Sequence, residues 1–271
     1  MDNPDFDLNK LLHELFVLNK KRHSTLMNWY SMEDPSLEDL LRKGKNAMKL
    51  IKRTPEVKVS PFEWAFLDVY SQFSHFSSFD FADQMNFQDK KIIFTFNYLG
   101  SFLLSGSMRS MVQQKDTILT PTGEDLYESV VYDVFKDSPQ ILRRVCCLIV
   151  SRLIELKVTN EEFLLLSLIF FCNPAISDQL SLNAKTTLSC NHEKFSSALF
   201  RLCQICHQKS APSRFAELIS ICNVINRVKV DLQFICMMVQ CMAPSFKLKR
   251  LVVATYIDVK KSEKVGEEEM D

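Results

Sequence analysis

The residues most suggestive of chemistry are two cysteines and a histidine within residues 202–208, L-C-Q-I-C-H-Q. Cys203, Cys206 and His207 have the C-x-x-C-H spacing of a c-type haem attachment site, where two thiols bind the haem and the imidazole its iron. Such attachment takes place in an oxidising export compartment. The first thirty residues carry charges throughout and show no apolar core of a secretory signal, so the chain is not expected to reach one.

The same segment also has the spacing of a buried helix face. Phe195, Leu199, Leu202 and Cys206 are four, three and four residues apart, which places them on one stripe of a helix with Cys203 beside it. A buried cysteine behaves as a small hydrophobic residue. Structural zinc needs four ligands, and the chain has no second C-x-x-C pair. We therefore interpret the motif as helix core and predict no haem, no metal site and no other cofactor.

The remaining residues lack the signatures of common enzyme sites. The five glycines cannot be arranged as either phosphate-binding loop, G-x-G-x-x-G or G-x-x-x-x-G-K-[ST], nor as the G-x-S-x-G nucleophile elbow. The five histidines are scattered, and no pair of carboxylates stands at a plausible catalytic spacing. We predict that the protein is not an enzyme, and a helical cytosolic enzyme of unfamiliar type stays as one alternative.

Charge and composition describe a globular chain without a nucleic-acid signature. Basic and acidic residues both number 33 among 271, so there is no excess of positive charge to bind phosphates. The longest apolar run, Phe163 to Cys172, is shorter than the roughly 20 residues that span a bilayer. Nine cysteines without a signal peptide indicate reduced thiols in the cytosol or nucleus.

Hydrophobic periodicity predicts helices along most of the chain. The first begins at Leu8 behind a possible Asp7 cap, and the third begins at Pro61. The others are predicted at 37–51, 88–112, 141–156, 159–172, 181–208, 213–242 and 248–257. Pro121 and Gly123, between short β-prone pieces, predict a small hairpin at 117–127. No repeat or linker divides the chain, so we predict one all-α domain.

Residues 79–112, F-D-F-A-D-Q-M-N-F-Q-D-K-K-I-I-F-T-F-N-Y-L-G-S-F-L-L-S-G-S-M-R-S-M-V, carry a family resemblance. They resemble the signature of nuclear hormone receptor ligand-binding domains, in which an aromatic-rich third helix and a hydrophobic turn precede D-[QK]. Met85, Asp89 and Lys90 match the L-x-x-x-D-[QK] element. Residues 158–174 are similar to the family's eighth helix and residues 211–219 to the start of its long tenth helix. The N-terminal helix, with K-K-R at 20–22, is similar to segments of the expanded nematode branch.

The resemblance implies a three-layer antiparallel helical sandwich of about 10–12 helices with one small β-hairpin, for which 117–127 is the candidate. It places flanking helices at 1–56, a ligand-binding-like domain at 57–258 and a disordered charged tail at 259–271. It also implies pairing of Glu162 with Arg214, which join the starts of two helices.

The implied function is a nuclear domain that regulates transcription by binding a lipophilic small molecule, coregulators or both. The chain as given carries no zinc-finger module, so we expect no direct DNA binding by it, and we expect no membrane binding. Expected partners are transcriptional coregulators and a second receptor, joined as a homo- or heterodimer through the long helix 213–242. In the alternative reading, side chains fill the pocket and the domain is a dimerisation module that acts only through partner receptors.

The resemblance also implies two sites. The expected ligand pocket is lined by Phe62, Phe66, Asp68, Leu99, Phe102, Arg109 and Met238. Within it, Asp68 and Arg109 are expected to approach each other, although Arg109 in a structural ion pair is an equal alternative. The expected coregulator groove is formed by Tyr70, Phe73, Phe87, Lys90 and Phe94, with Thr255 in the final helix as lid. Thr255 and Ser77 stand where active receptors have the glutamate and lysine that clamp a coactivator helix, so weak coactivator binding is expected.

Two short leucine motifs complete the sequence features. L-N-K-L-L at 8–12 and L-E-D-L-L at 37–41 match L-x-x-L-L, the helix that receptors and coregulators use in groove binding. Any amphipathic helix with leucines at positions i, i+3 and i+4 has this pattern. We therefore interpret both motifs as parts of the core.

Overall fold

The computed structural model of the chain describes residues 7–54, 56–245 and 247–256. Its α-helices, in chain order, are α1 Leu8–Asn28, α2 Leu37–Lys43, α3 Pro61–Phe76, α4 Asp80–Asp83, α5 Phe87–Val112, α6 Ser129–Val134, α7 Pro139–Leu156, α8 Asn160–Phe171, α9 Leu182–His207, α10 Ala211–Met242 and α11 Arg250–Tyr256. Short 3₁₀ turns follow α2 and α9. Ile257 and the charged tail 259–271 lie outside the described residues.

The helices pack in three layers, which confirms the predicted helical sandwich. Helices α1 and α3 pack together on one face, and α7 and α10 pack together on the other. The central helix α5 contacts α3, α7, α8 and α10, while α8 packs on α9. The last helix, α11, rests on α5, α3 and α10. Among the described residues, no helix is both long enough and apolar enough to pass through a lipid bilayer.

Side-chain caps explain where the helices begin. The Asp7 carboxylate accepts the amides of Asn9 and Lys10 and caps α1, as predicted. Ser36, Ser60 and Thr159 each accept the amide three residues ahead, and an acidic side chain at that third position bonds back to the cap. Each of these caps depends on contacts within one turn of its helix.

The sheet lies at a different place from the predicted hairpin. Strand β1 (Trp29–Tyr30) pairs antiparallel with β2 (Ile51–Lys52). Within 117–127, a single bridge joins Leu119 and Asp125 around the turn at Gly123. That segment cannot extend as a ladder because helices bind its backbone: the Ile118 amide donates to the Cys146 carbonyl of α7, and Arg109 of α5 bonds the Leu119 carbonyl. The predicted helix 37–51 likewise ends early, at Lys43.

Two polar contacts fix the arrangement of the central helices. Glu162, at the start of α8, is paired with Arg214 of α10 through Nε–Oε1 and Nη2–Oε2 bonds of 2.8 and 2.6 Å, which confirms the predicted pair. Asp89, a residue of the family-like signature, is buried and accepts both the amide and the hydroxyl of Ser181, at 2.9 and 2.7 Å. It therefore ties the start of α5 to the start of α9.

The C-x-x-C-H motif lies within α9, as predicted, but its inward face differs by one residue. Phe195, Leu199 and Cys203 are buried, whereas Cys206 is exposed. The inward stripe thus follows i+4 steps to Cys203 instead of turning to Leu202 and Cys206. No group of three or more His, Cys, Asp or Glu side chains is placed to hold a metal ion in the part of the chain that the structure describes.

Candidate functional site

The cavity between α3, α5, α10 and α11 is small. It measures about 40 Å³ and is lined by apolar and tyrosine side chains, among them Phe62, Phe102, Ile235, Val239 and Tyr256. A water molecule takes up about 30 Å³ of liquid, whereas pockets for drug-sized ligands measure about 300–1,000 Å³. Side chains therefore fill the space where the family resemblance places a ligand.

The residues predicted to line this pocket are placed unevenly. Phe62 and Phe102 line the cavity. Phe66 and Leu99 are fully buried in the core beside it but do not line it, and Met238 is partly buried against the core. On α10, the lining is made by the residues at 232, 235, 236 and 239. Their spacing of three and four was the signal in the sequence that Met238 lies off the inward face.

A buried polar cluster lies between α1, α3 and α5. The Asp68 carboxylate accepts a 3.4 Å hydrogen bond from Gln72, and its other oxygen is buried without a hydrogen-bond partner. Burial raises the pKa of Asp68, and the positive charges of Arg22 and Arg109 oppose that rise. Burial in turn lowers the pKa of Arg22 and that of Arg109, against the attraction of Asp68. Sequence reasoning missed Arg22, because its buried position follows from α1 packing on α3.

The expected approach of Asp68 and Arg109 is looser than an ion pair. No salt bridge of 4.0 Å or less joins them in the described part of the chain, and Arg109 Nη2 instead donates to the Leu119 carbonyl at 3.0 Å. Arg109 Nε is buried without a hydrogen-bond partner. The two charges therefore attract each other at longer range while each keeps unsatisfied hydrogen-bonding capacity.

The residues of the predicted coregulator groove come together on α3 and α5. Tyr70, Phe73, Lys90 and Phe94 line one cavity of about 310 Å³, and residues of α1 and α2 also line it. The rings of Phe73 and Phe94 lie 4.9 Å apart, centroid to centroid. Phe87 lies at the start of α5, with the Arg42 guanidinium of α2 stacked 4.8 Å above its ring. These side chains form an apolar floor with polar residues at its rim.

The final helix α11 lies at one end of this groove. Thr255 is buried and its hydroxyl donates to the Leu251 carbonyl at 2.9 Å, so it faces the interior. Ala254 instead borders a depression shared with Leu37 and Lys91. The clamp position Thr255 therefore faces away from the groove, while Ser77 lines the cavity near the end of α3.

The long helix α10 carries an exposed apolar stripe in its second half. Val230, Phe234 and Met237 are four and three residues apart, and all three are exposed. The stripe lies within the helix 213–242 that was predicted to join two receptors. Scattered apolar side chains on a surface are ordinary, whereas a contiguous row on one helix is typical of a contact face.

Comparison with known proteins gives concordant matches. Residues 47–242 match a family model described as the ligand-binding domain of nuclear hormone receptor. The chain is 52% identical over 257 residues to nuclear hormone receptor family member nhr-51 of Caenorhabditis elegans, covering 95% of this chain and 69% of that protein. It is 45% identical over 248 residues to nhr-52 of the same organism, covering 92% and 73%. The ultraspiracle ligand binding domain from Drosophila melanogaster has the same fold, with a TM-score of 0.59 at 13% identity over 90% of this chain and 96% of that one.

Proposed function

The chain belongs to the family of nuclear hormone receptor ligand-binding domains, and on that premise we propose that it regulates transcription through coregulators without a large bound ligand. Receptor function and transcription regulation follow from the family. The finer proposal is that side chains replace the ligand, that α3, α5 and α11 form the working surface, that no reaction is catalysed and that the domain acts in the nucleus. Within the chain, the domain proper is assigned to 57–258 and the helices before it to a flanking unit.

The small size of the cavity between α3, α5, α10 and α11 carries this proposal. At about 40 Å³ it is far smaller than the roughly 300–1,000 Å³ of pockets for drug-sized ligands, and Val252 and Tyr256 of α11 line it. The last helix is held by protein contacts: Leu251 is fully buried, and the Tyr256 ring lies 6.1 Å from that of Phe102. A helix positioned by its own packing needs no ligand to place it.

Native mass spectrometry of protein purified from cells tests the filled pocket. We expect the mass of the polypeptide alone, because no lipid fits in the cavity. The matched control is Phe102→Ala, which removes a ring from the cavity wall and leaves apolar space of the kind that binds small apolar molecules. Uptake of benzene by Phe102→Ala and not by the unchanged protein would support the proposal. A stoichiometric lipid on the unchanged protein would refute it.

A ligand-responsive receptor is the second candidate, and the buried polar cluster favours it. Asp68 Oδ2, Arg22 Nη1 and Arg109 Nε are all buried without hydrogen-bond partners, and such groups are normally satisfied. A polar end of a small ligand would satisfy them if the surrounding side chains moved apart. The same mass measurement separates the two candidates.

We further propose that the exposed stripe of α10 joins two receptor domains. Burying Val230, Phe234 and Met237 against a second copy or another receptor would remove an apolar face from water. Phe234→Glu should shift the protein from dimer to monomer in light scattering coupled to size exclusion. Phe16→Glu, at an exposed phenylalanine of α1, is the matched control and should leave the mass unchanged. If the wild-type protein is monomeric and also does not bind partner receptors, this assignment is wrong.

A further inference from the structure

We infer that α2 is an internal L-x-x-L-L ligand, which occupies the groove of this domain and must leave before the leucine helix of a partner can enter. The inference rests on the proposed use of that groove by coregulators and adds how access to it is controlled. It assigns a binding role to residues 37–41, which the sequence pattern alone could not separate from ordinary core.

Two leucines of α2 are buried, and two line the groove. Leu37 and Leu40 have exposed fractions of 3% and 0%. Leu40 and Leu41 line the same cavity as Tyr70 and Phe73 of α3. Leucines at i, i+3 and i+4 form one face of a helix, so a single face of α2 meets the apolar floor.

The direction of α2 is set by contacts at its two ends. At its beginning, Leu37 borders the depression that contains Ala254 of α11. At its end, Gly44 lines the same cavity as Ser77, at the end of α3. The helix therefore begins near the last helix of the domain and ends near the end of α3.

Polar contacts hold the outer side of α2 at the rim. Glu38, inside the leucine motif, forms a 2.6 Å salt bridge with Lys91 of α5. Arg42, just after the motif, places its guanidinium over the Phe87 ring. These contacts cross between two separate helices, and they fix the position of α2 along the groove.

Ser77 and Thr255, at the two positions where the resemblance places the clamp charges, are uncharged, and α2 carries its own caps. At its start, the Ser36 hydroxyl accepts the Asp39 amide at 3.1 Å, and the Asp39 carboxylate accepts the Ser36 amide at 3.0 Å. At its end, the Gly44 amide bonds the Leu40 carbonyl, and Lys43 pairs with Asp39 at 3.2 Å. Covalent attachment adds an effective concentration of order millimolar, so weak contacts suffice to fill the groove.

A short segment before α2, which we call the strap (residues 31–34), connects this helix to α11. The Asp34 carboxylate accepts the Arg250 amide at 2.8 Å and caps the first turn of α11. Lys249 Nζ donates to the Ser31 and Glu33 carbonyls at 3.0 and 3.2 Å. The strap thus joins the occupant of the groove to the helix that forms one end of it.

Fluorescence polarisation with the full chain tests the inference. The probe is a labelled peptide copying residues 33–46 with Glu38→Ala, so that its own affinity does not depend on Lys91. Lys91→Glu, at a solvent-exposed position, should repel Glu38 in the chain and tighten probe binding about threefold to tenfold. Glu38→Lys combined with Lys91→Glu should restore the ion pair and return binding to the unchanged level.

A leucine pair supplies the matched control for packing. Leu40→Ala weakens α2 in the groove and should tighten probe binding further, whereas Leu11→Ala, a buried leucine of the other L-x-x-L-L motif, should not change it. Hydrogen exchange of the amides at 38–43 should become faster when the probe is added to the unchanged protein. Equal probe affinity in the unchanged protein and Lys91→Glu would overturn the inference and leave the proposed function standing. Absence of probe binding by every variant, with faster exchange at 38–43 in Lys91→Glu, would refute the proposed use of the groove and the inference with it.

Discussion

Replacing Arg214 with alanine is expected to destabilise the domain strongly, because Arg214 is the main partner of a buried carboxylate. Its guanidinium bonds both oxygens of Glu162, at 2.8 and 2.6 Å, and its third nitrogen donates to the Leu156 carbonyl at 2.6 Å. The exposed fractions of the two side chains are 11% and 3%. The change leaves Glu162 charged and buried, and it removes the donor from a backbone carbonyl.

The magnitude follows from the cost of leaving one member of a buried pair behind, which is about 3–5 kcal/mol. Two contacts soften the loss: Glu162 still accepts the Thr159 amide at 2.9 Å, and His207 Nε2 lies 3.8 Å from its carboxylate. We therefore expect a loss near the lower end, about 3 kcal/mol in the free energy of unfolding. In a domain of this size that corresponds to a fall in melting temperature of roughly 6–12 °C.

Urea unfolding followed by circular dichroism measures the effect, and Arg144→Ala is its control. Arg144 makes the same two-point contact with Asp231, at 2.5 and 2.8 Å, but the exposed fractions are 38% and 16%. A solvent-exposed pair contributes about 0.2–1 kcal/mol, so this variant should unfold close to the unchanged protein. Equal decreases in the free energy of unfolding in the two variants would mean that burial does not determine how much the Glu162–Arg214 pair contributes to stability.

Three further outcomes are expected. Burial lowers the pKa of His75 to about 3. Because an unfolded histidine binds its proton near pH 6.5, the free energy of unfolding should fall by about 1.4 kcal/mol per pH unit below that value. His75→Gln should reduce this pH dependence in urea titrations at pH 4–7. Gly100→Ala would place its Cβ 2.3 Å from Phe170 Cζ, so we expect a loss of about 1–3 kcal/mol in the same assay, and an unchanged midpoint would show that the ring moves freely. Iodoacetamide should modify Cys206 in the native protein and Cys203 only after unfolding, because Cys203 is buried and its pKa is raised to about 11. Equal labelling of the two cysteines in peptide mass mapping of the native protein would contradict the burial of Cys203.

Local signals predicted the helices well, and features that depend on distant partners were beyond them. The helix over 159–172 was predicted from periodicity, and in the structure a cap and a carboxylate within one turn fix the start of α8 at Thr159. The two-stranded sheet joins residues on either side of α2, and no pattern within 29–30 or 51–52 announces that pairing. Pairing of Glu162 with Arg214 was predicted because the family resemblance supplied the distant partner.

For the candidate site, the sequence predicted several of the lining residues but not the volume of the cavity. The aromatic floor at Phe73 and Phe94 was predicted as a set. The volume of the cavity was not predictable, because it depends on how α10 is rotated about its axis. Val239 lines the cavity, whereas the adjacent Met238 does not. The covering role of α2 was also hidden, because the same leucine spacing serves core helices and docking helices alike.

The strap couples the position of α2 to the position of α11. Arg250 begins the last helix and Lys249 directly precedes it, yet their partners lie in the segment before the leucine helix. By thermodynamic reciprocity, if release of α2 weakens the docking of α11 by some factor, release of α11 weakens the docking of α2 by the same factor. A partner that binds only the last helix would therefore change how readily α2 leaves the groove, without contacting the leucines of α2.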